Sequence, residues 1–157
     1  MTSLNDLLLP RVVLASAKWT TRKQVLQGLS ESMGEALGIE GRVVYDAVLE
    51  RERLGPTGVG EGVAIPHARV DGLEHPVAGF ARLVEPVDFE AIDERKCDLV
   101  FMILAPLEAG AEHLMALARV SRMLRQESVR ARLRVASGVD QILDVLCPKA
   151  AADSDAA

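Results

Sequence analysis

The run CDLVFMILAP, residues 97–106, most limits what this chain can fold into. It is almost continuously apolar, with β-branched and aromatic members, where a half-solvated strand would alternate polar and apolar positions. It reads as the central strand of a sheet covered by other elements. Two shorter runs have strand character beside it: GVAIPHA (62–68), closed by proline, and PVAGFARLVEP (76–86).

The covering elements are legible as helices. The segment 20–38 places Val25, Leu26, Leu29, Met33, Ala36 and Leu37 on one stripe, with a threonine start and Gly38 as the stop. A second helix fits 42–55, where Val44, Ala47, Val48 and Arg51 share a face and Gly55 terminates. Further along, 112–126 carries Leu114, Leu117, Ala118, Ser121 and Leu124 at helical spacing. Two short helical segments follow at 128–135 and 137–146, the last with Ser137 as its cap. Strands alternating with helices, and no internal repeat or linker, predict an α/β fold: a single-domain sandwich with a mixed β-sheet flanked by helices. The domain is expected over residues 1–148, with a flexible C-terminal tail over 149–157.

At 157 residues and 49% hydrophobic content the chain can bury a core without disulfides. Cys97 and Cys147 have no metal-type spacing and read as reduced thiols. The N-terminus lacks a basic start followed by a long apolar core, and no stretch approaches a membrane span, so a cytoplasmic location with no membrane insertion is expected. A net charge of −5 argues against nucleic acid. Arg119, Arg122, Arg125, Arg130, Arg132 and Arg134 do concentrate basic charge locally, but no aromatic side chain interleaves with them as a stacking platform. They read as a solvated helix face, with a docking surface for an acidic protein as the alternative.

One stretch stands apart. In GPTGVGEGVAIPHARV, residues 55–70, four glycines precede a short apolar run that ends at Pro66-His67. A phosphate-binding loop requires a preceding strand and a terminal Gly-Lys-Ser/Thr, whereas Glu61 stands here between Gly60 and Gly62 with the wrong sign of charge. A dinucleotide fingerprint requires strand, glycines, helix; the order here is helix, glycines, strand. What remains is a tight connection that swings the chain from helix to strand and presents His67 on a backbone fixed by Pro66. On spacing alone, a histidine that merely packs or hydrogen-bonds stays open beside a functional one. A metal site on His67, His75 and His113 has no supporting spacing.

The run from Arg51-Glu52 through Thr57-Gly58-Val59-Gly60-Glu61-Gly62-Val63-Ala64-Ile65-Pro66-His67 resembles the active-site segment of phosphotransferase-system enzyme IIA proteins of the mannitol, fructose and nitrogen type. The resemblance continues through DFEAIDERKCDLVFMILAP and EHLMALARVSRML to the last helix. It implies that His67 is the phosphoryl acceptor, that Arg51 lies close to it, and that His113 is a second histidine beside the site. His75 matches no family position. Pro56 stands where the family usually has serine, and Ala68-Arg69 where glycine and a basic or small residue are common.

The implied function is a phosphoryl carrier with no cofactor, loaded by an HPr-type phosphocarrier. Its implied partners are regulatory target proteins or a IIB domain. The motif wording and size favour the stand-alone nitrogen-regulatory type; a sugar-transport IIA passing the group to a IIB cysteine, or a non-catalytic binding module, are the alternatives. The chemistry is compatible: a neutral imidazole is a nucleophile near neutral pH, and phosphoryl transfer asks mainly for positioning and charge stabilisation. Arg51 offers a planar fork of donors, and N–H groups of the glycine-rich turn are expected to contribute to the cradle. No pattern in the sequence specifies an oligomeric state.

Overall fold

The computed structural model describes residues 4–148. The C-terminal tail expected over 149–157 lies outside the described residues. In chain order the elements are β1 (Leu8–Ala17), α1 (Arg22–Leu37), α2 (Gly41–Leu54), β2 (Gly58–Gly60), β3 (Val63–Ala64), β4 (His67–Val70), β5 (Val77–Val87), β6 (Cys97–Pro106), α3 (Ala111–Arg125), α4 (Glu127–Val135) and α5 (Val139–Leu146).

The apolar run forms β6 at the centre of a six-stranded mixed sheet ordered β1-β5-β6-β3-β2, with β4 also paired to β6. On one side β6 runs antiparallel to β5, which pairs parallel with β1. On the other it takes β3 and β4 end to end, both parallel, with Val63 opposite Leu99 and His67 opposite Ile103. Because side chains alternate along a strand, Leu99, Phe101 and Ile103 pack with Ala116, Val120, Leu133 and Ile142 of α3–α5. Val100, Met102 and Leu104 pack on the other face with Val25, Leu29, Met33, Val44 and Val48 of α1 and α2. Both faces of β6 are therefore dry, which is why its sequence shows no alternation. Each such fully buried Leu, Ile or Phe stabilises the fold by about 1.5–3 kcal/mol.

The first helix starts and stops where its sequence says. Thr21 accepts the Gln24 N–H at 3.1 Å, and Gly38, at φ 74°, closes the helix through its N–H to Gly34 O.

Three expectations and one omission need correction. Strand β1 was not distinguished at the sequence level, because Pro10 and Arg11 interrupt its apolar pattern; as an outer strand it tolerates both. The strands do not alternate with the helices; β2 to β6 follow one another between two helical groups. On α3 the buried side chains are His113, Ala116, Val120, Met123 and Leu124, whereas Leu114 is exposed. Both stripes satisfy a 3.6 period, and the core selects the one whose neighbours are apolar on the sheet. Ser137 does not cap α5: Gly138 occupies the cap position, and the Ser137 N–H donates to Gln141 Oε1 at 2.8 Å.

Part of the arginine cluster is structural, too. Arg130 is buried and donates to the Leu124 and Arg125 carbonyls, each at 2.9 Å, closing the end of α3. Arg119 forms a fork with Asp6, and Arg134 another with Asp98.

Candidate functional site

His67 opens β4 directly after Pro66, whose carbonyl accepts the Ile103 N–H at 3.0 Å and so locks this part of the chain onto β6. Strand alternation sends Ala68 and Val70 into the core beneath α2 and leaves His67 and Arg69 on the other face, towards α3. Two helices converge on this edge. From α2, Arg51 donates its Nε–H to His67 Nε2 at 3.2 Å and an Nη1–H to Gly55 O at 2.9 Å. From α3, the His113 ring stands 5.5 Å from that of His67, centroid to centroid.

Both nitrogens of His67 are thereby assigned. Nδ1 lies 2.8 Å from Ile65 O, a group that only accepts, so Nδ1 carries the proton. Nε2 then holds the lone pair, consistent with its acceptance of the Arg51 N–H. Burial, with the Arg51 charge assisting, holds the proton affinity of His67 below its ordinary value, against the opposing pull of the Ile65 carbonyl and Glu52. His113 is pushed further, down to about 4, by burial and then by His67 and Arg69. Its Nδ1 is buried and has no hydrogen-bond partner among the described residues.

These side chains line a cleft of about 470 Å³ between α2 and α3, completed by Glu50, Leu54, Arg69, Leu114 and Leu117. A neutral ring with a lone pair directed beside a guanidinium is equipped to attack an electrophile that carries negative charge.

The chain matches, over residues 6–147, the family described as "Phosphoenolpyruvate-dependent sugar phosphotransferase system, EIIA 2". It belongs to that family. A nitrogen regulatory protein of Bradyrhizobium diazoefficiens is 44% identical over 143 residues, covering 91% of this chain and 94% of the relative. A fructose-specific EIIA component of Haloferax volcanii is 39% identical over 127 residues, covering 80% of this chain and 82% of the relative. The crystal structure of the nitrogen regulatory protein IIA-Ntr from Neisseria meningitidis superposes with a TM-score of 0.85 at 29% identity, covering 91% of this chain and 98% of that one.

In this EIIA-family chain the structure brings together His67, Arg51 and His113, the three residues singled out in the sequence. It leaves His75 elsewhere: that ring is exposed and lines a separate cleft with Asp6, Glu112 and Arg119. Among the described residues no group of three or more His, Cys, Asp or Glu is placed to hold a metal ion. Neither thiol is a ready nucleophile: burial pushes Cys97 up to about 12 and raises Cys147 as well.

The glycine-rich turn does not cradle the His67 site. Gly60, Glu61 and Gly62 all have positive φ, at 99°, 58° and 79°, and form the tip of the β2–β3 hairpin. The Glu61 N–H donates to Asp93 at 2.9 Å, so a carboxylate of the protein itself occupies this turn. Register puts the tip near Leu99 and His67 opposite Ile103, a separation of roughly 13 Å at ~3.3 Å per residue. Sequence reasoning also passed over Glu52, Thr57 and Arg69 as site residues. Glu52 and Thr57 are buried together, and the only sequence signal for them is their place in the family pattern between Arg51 and the glycines.

Proposed function

We propose that this EIIA-family chain is a phosphoryl carrier that accepts a phosphoryl group on Nε2 of His67 from an HPr-type phosphocarrier and controls regulatory partner proteins by its phosphorylation state. The observation that carries this reading is geometric: His67 Nδ1 lies 2.8 Å from Ile65 O and Nε2 lies 3.2 Å from the donating Arg51 Nε, an arrangement that assigns the proton to Nδ1 and the lone pair to Nε2 on the cleft. In the transfer, the Nε2–P bond forms as the N–P bond of the donor's phosphohistidine breaks. The ring gains positive character as it does so, and the Ile65 carbonyl, already holding the Nδ1 proton, stabilises that charge. Arg51 is placed to exchange its contact with Nε2 for one with a phosphoryl oxygen, and His113 faces the same space as a neutral ring.

The regulatory part rests on similarity to a nitrogen regulatory protein of nearly the same length. A second reading, donation to a IIB cysteine in sugar transport, is favoured by the likeness to a fructose-specific EIIA component. Incubation with phosphorylated carrier is expected to give an acid-labile, alkali-stable label that His67→Ala abolishes. Undiminished labelling of that variant overturns the proposal. Rapid onward transfer to a IIB cysteine, without any partner sensitive to phosphorylation, selects the sugar-transport reading.

A further inference from the structure

Glu52 and Thr57 are polar, almost wholly buried at 6% and 4% exposure, and outside the chemistry described so far. A buried carboxylate is costly to keep unless its oxygens are satisfied, and here Thr57 satisfies both. Its hydroxyl donates to Glu52 Oε1 at 2.7 Å and its N–H to Oε2 at 3.1 Å, with Arg22 of α1 at 3.6 Å as a more distant counter-charge. Thr57 in turn accepts the Ile65 N–H on its carbonyl at 2.9 Å. Ile65 precedes proline, which keeps it extended, and its own carbonyl meets His67 Nδ1 at 2.8 Å.

Glu52 follows Arg51 in the last turn of α2, and successive helical residues point about 100° apart, since the helix has ~3.6 residues per turn. Arg51 thus faces the cleft while Glu52 faces inward. A single helical turn addresses both nitrogens of the acceptor ring: Nε2 directly through Arg51, and Nδ1 through Glu52, Thr57 and Ile65. The contacts from Thr57 to Ile65 and from Ile65 to His67 are positional, because each bond in the series belongs to a different peptide unit.

We propose that Glu52 and Thr57 form a positioning pair for the acceptor, pinning the Ile65 carbonyl so that His67 is held as the Nδ1–H tautomer with Nε2 unprotonated beside Arg51. The assignment rests on His67 being the phosphoryl acceptor, but the tautomer is measurable without any phosphoryl donor. Glu52 also raises the proton affinity of His67 against the lowering effect of Arg51. The other charged or titratable groups facing the ring are His113 from α3, Arg69 on its own strand and Glu50 on the cleft wall.

The test is long-range ¹H–¹⁵N correlation of the His67 imidazole in the full chain, for the parent, Thr57→Val, Thr57→Ser and Glu52→Gln. The parent is expected to show a protonated Nδ1 and a bare Nε2. Thr57→Val keeps the side-chain volume but removes the hydroxyl, and is expected to populate both tautomers. Its phosphoryl acceptance should fall in proportion to the Nδ1–H fraction, about twofold where the two tautomers are equally populated. Thr57→Ser restores the parent spectrum, and Glu52→Gln moves the His67 titration midpoint to lower pH. A Thr57→Val protein that loses stability but keeps the parent tautomer and rate overturns the proposal, leaving the pair a structural clamp. Should Thr57→Val not fold, Glu52→Gln decides: an unchanged midpoint and tautomer overturn the proposal. If the parent protein accepts no phosphoryl group, the functional reading fails while the tautomer result still decides the positioning.

Discussion

At the scale of single residues, two histidines share one site because their environments keep both neutral. His113 in the folded chain binds its proton only near pH 4, against 6.5 for a free histidine. Between those values the unfolded chain holds more protons than the folded one, so stability rises with pH across the window and is lost as pH falls from 6.5 towards 4. Thermal melts of the parent are expected to show this decline, and His113→Gln, which cannot titrate, is expected to make it shallower, leaving the part due to His67. An equally steep decline in the variant would mean that His113 is not its source. His67 shifts in the same direction, so phosphoryl acceptance should persist below the ordinary histidine range and fail only when Nε2 protonates. Arg51 contributes a charge-assisted donor beside that nitrogen. Its loss in Arg51→Ala is expected to slow transfer about ten- to a hundredfold, equivalent to ~1.5–3 kcal/mol, with the fold intact. Lysine is not expected to rescue it, because Arg51 uses Nε and Nη1 together, as a fork, on His67 and Gly55. Transfer at the parent rate in Arg51→Ala would remove it from the site.

At the scale of elements, the hairpin between β2 and β3 is held from outside. Arg134 of α4 donates to Glu61 O at 2.7 Å and to Asp98 of β6 at 2.9 Å, and Arg95 pairs with the Glu61 carboxylate at 2.6 Å. Gly62 sits directly under the Arg134 guanidinium, at φ 79°, where a Cβ would both strain the backbone and displace that ion pair. Gly62→Ala is therefore expected to cost about 1–3 kcal/mol, read as a Tm drop of ~2–4 °C per kcal/mol. Phosphoryl acceptance should stay at the parent rate, since the tip is remote from His67; a selective loss of transfer with unchanged Tm would reverse this separation of roles. Such detail explains what the sequence could and could not disclose. Strand β6 and helix α1 were legible because burial and capping write themselves into local pattern. Strand β1 was not, because Pro10 and Arg11 break its apolar pattern, and the buried face of α3 was not, because two stripes fit one period and the sheet selects between them. His67, Arg51 and His113, which the fold brings together, were named through the family resemblance and not through spacing. Glu52 was not, because in the run ERER a buried glutamate is indistinguishable from a solvated one until Thr57 is folded against it.

At the scale of the whole molecule, the cleft opens at the sheet edge between helices that belong to opposite layers, so a partner docking there meets α2 and α3 at once. Its rim is apolar at points where burial within the chain does not explain it: Leu54 is 81% exposed and Leu114 65%. A docked partner would cover these side chains and desolvate His67 at their centre. Phosphorylation of His67, as proposed, would set about −1.5 to −2 charges at that spot. A partner that presents an apolar or carboxylate-bearing surface there is expected to lose about 30- to several thousandfold in affinity, corresponding to ~2–5 kcal/mol for an unpaired interfacial charge. Leu114→Asp places a lasting charge on the rim without touching the core, so it should weaken the same partners in both phosphorylation states. The measurement is partner binding by the unmodified protein, the enzymatically phosphorylated protein, His67→Asp and Leu114→Asp. Regulatory control through this cleft requires the second and third to release partners that the first retains, and Leu114→Asp to release them regardless of phosphorylation. A partner held equally by all four docks elsewhere on the molecule, and its regulation could not then run through His67.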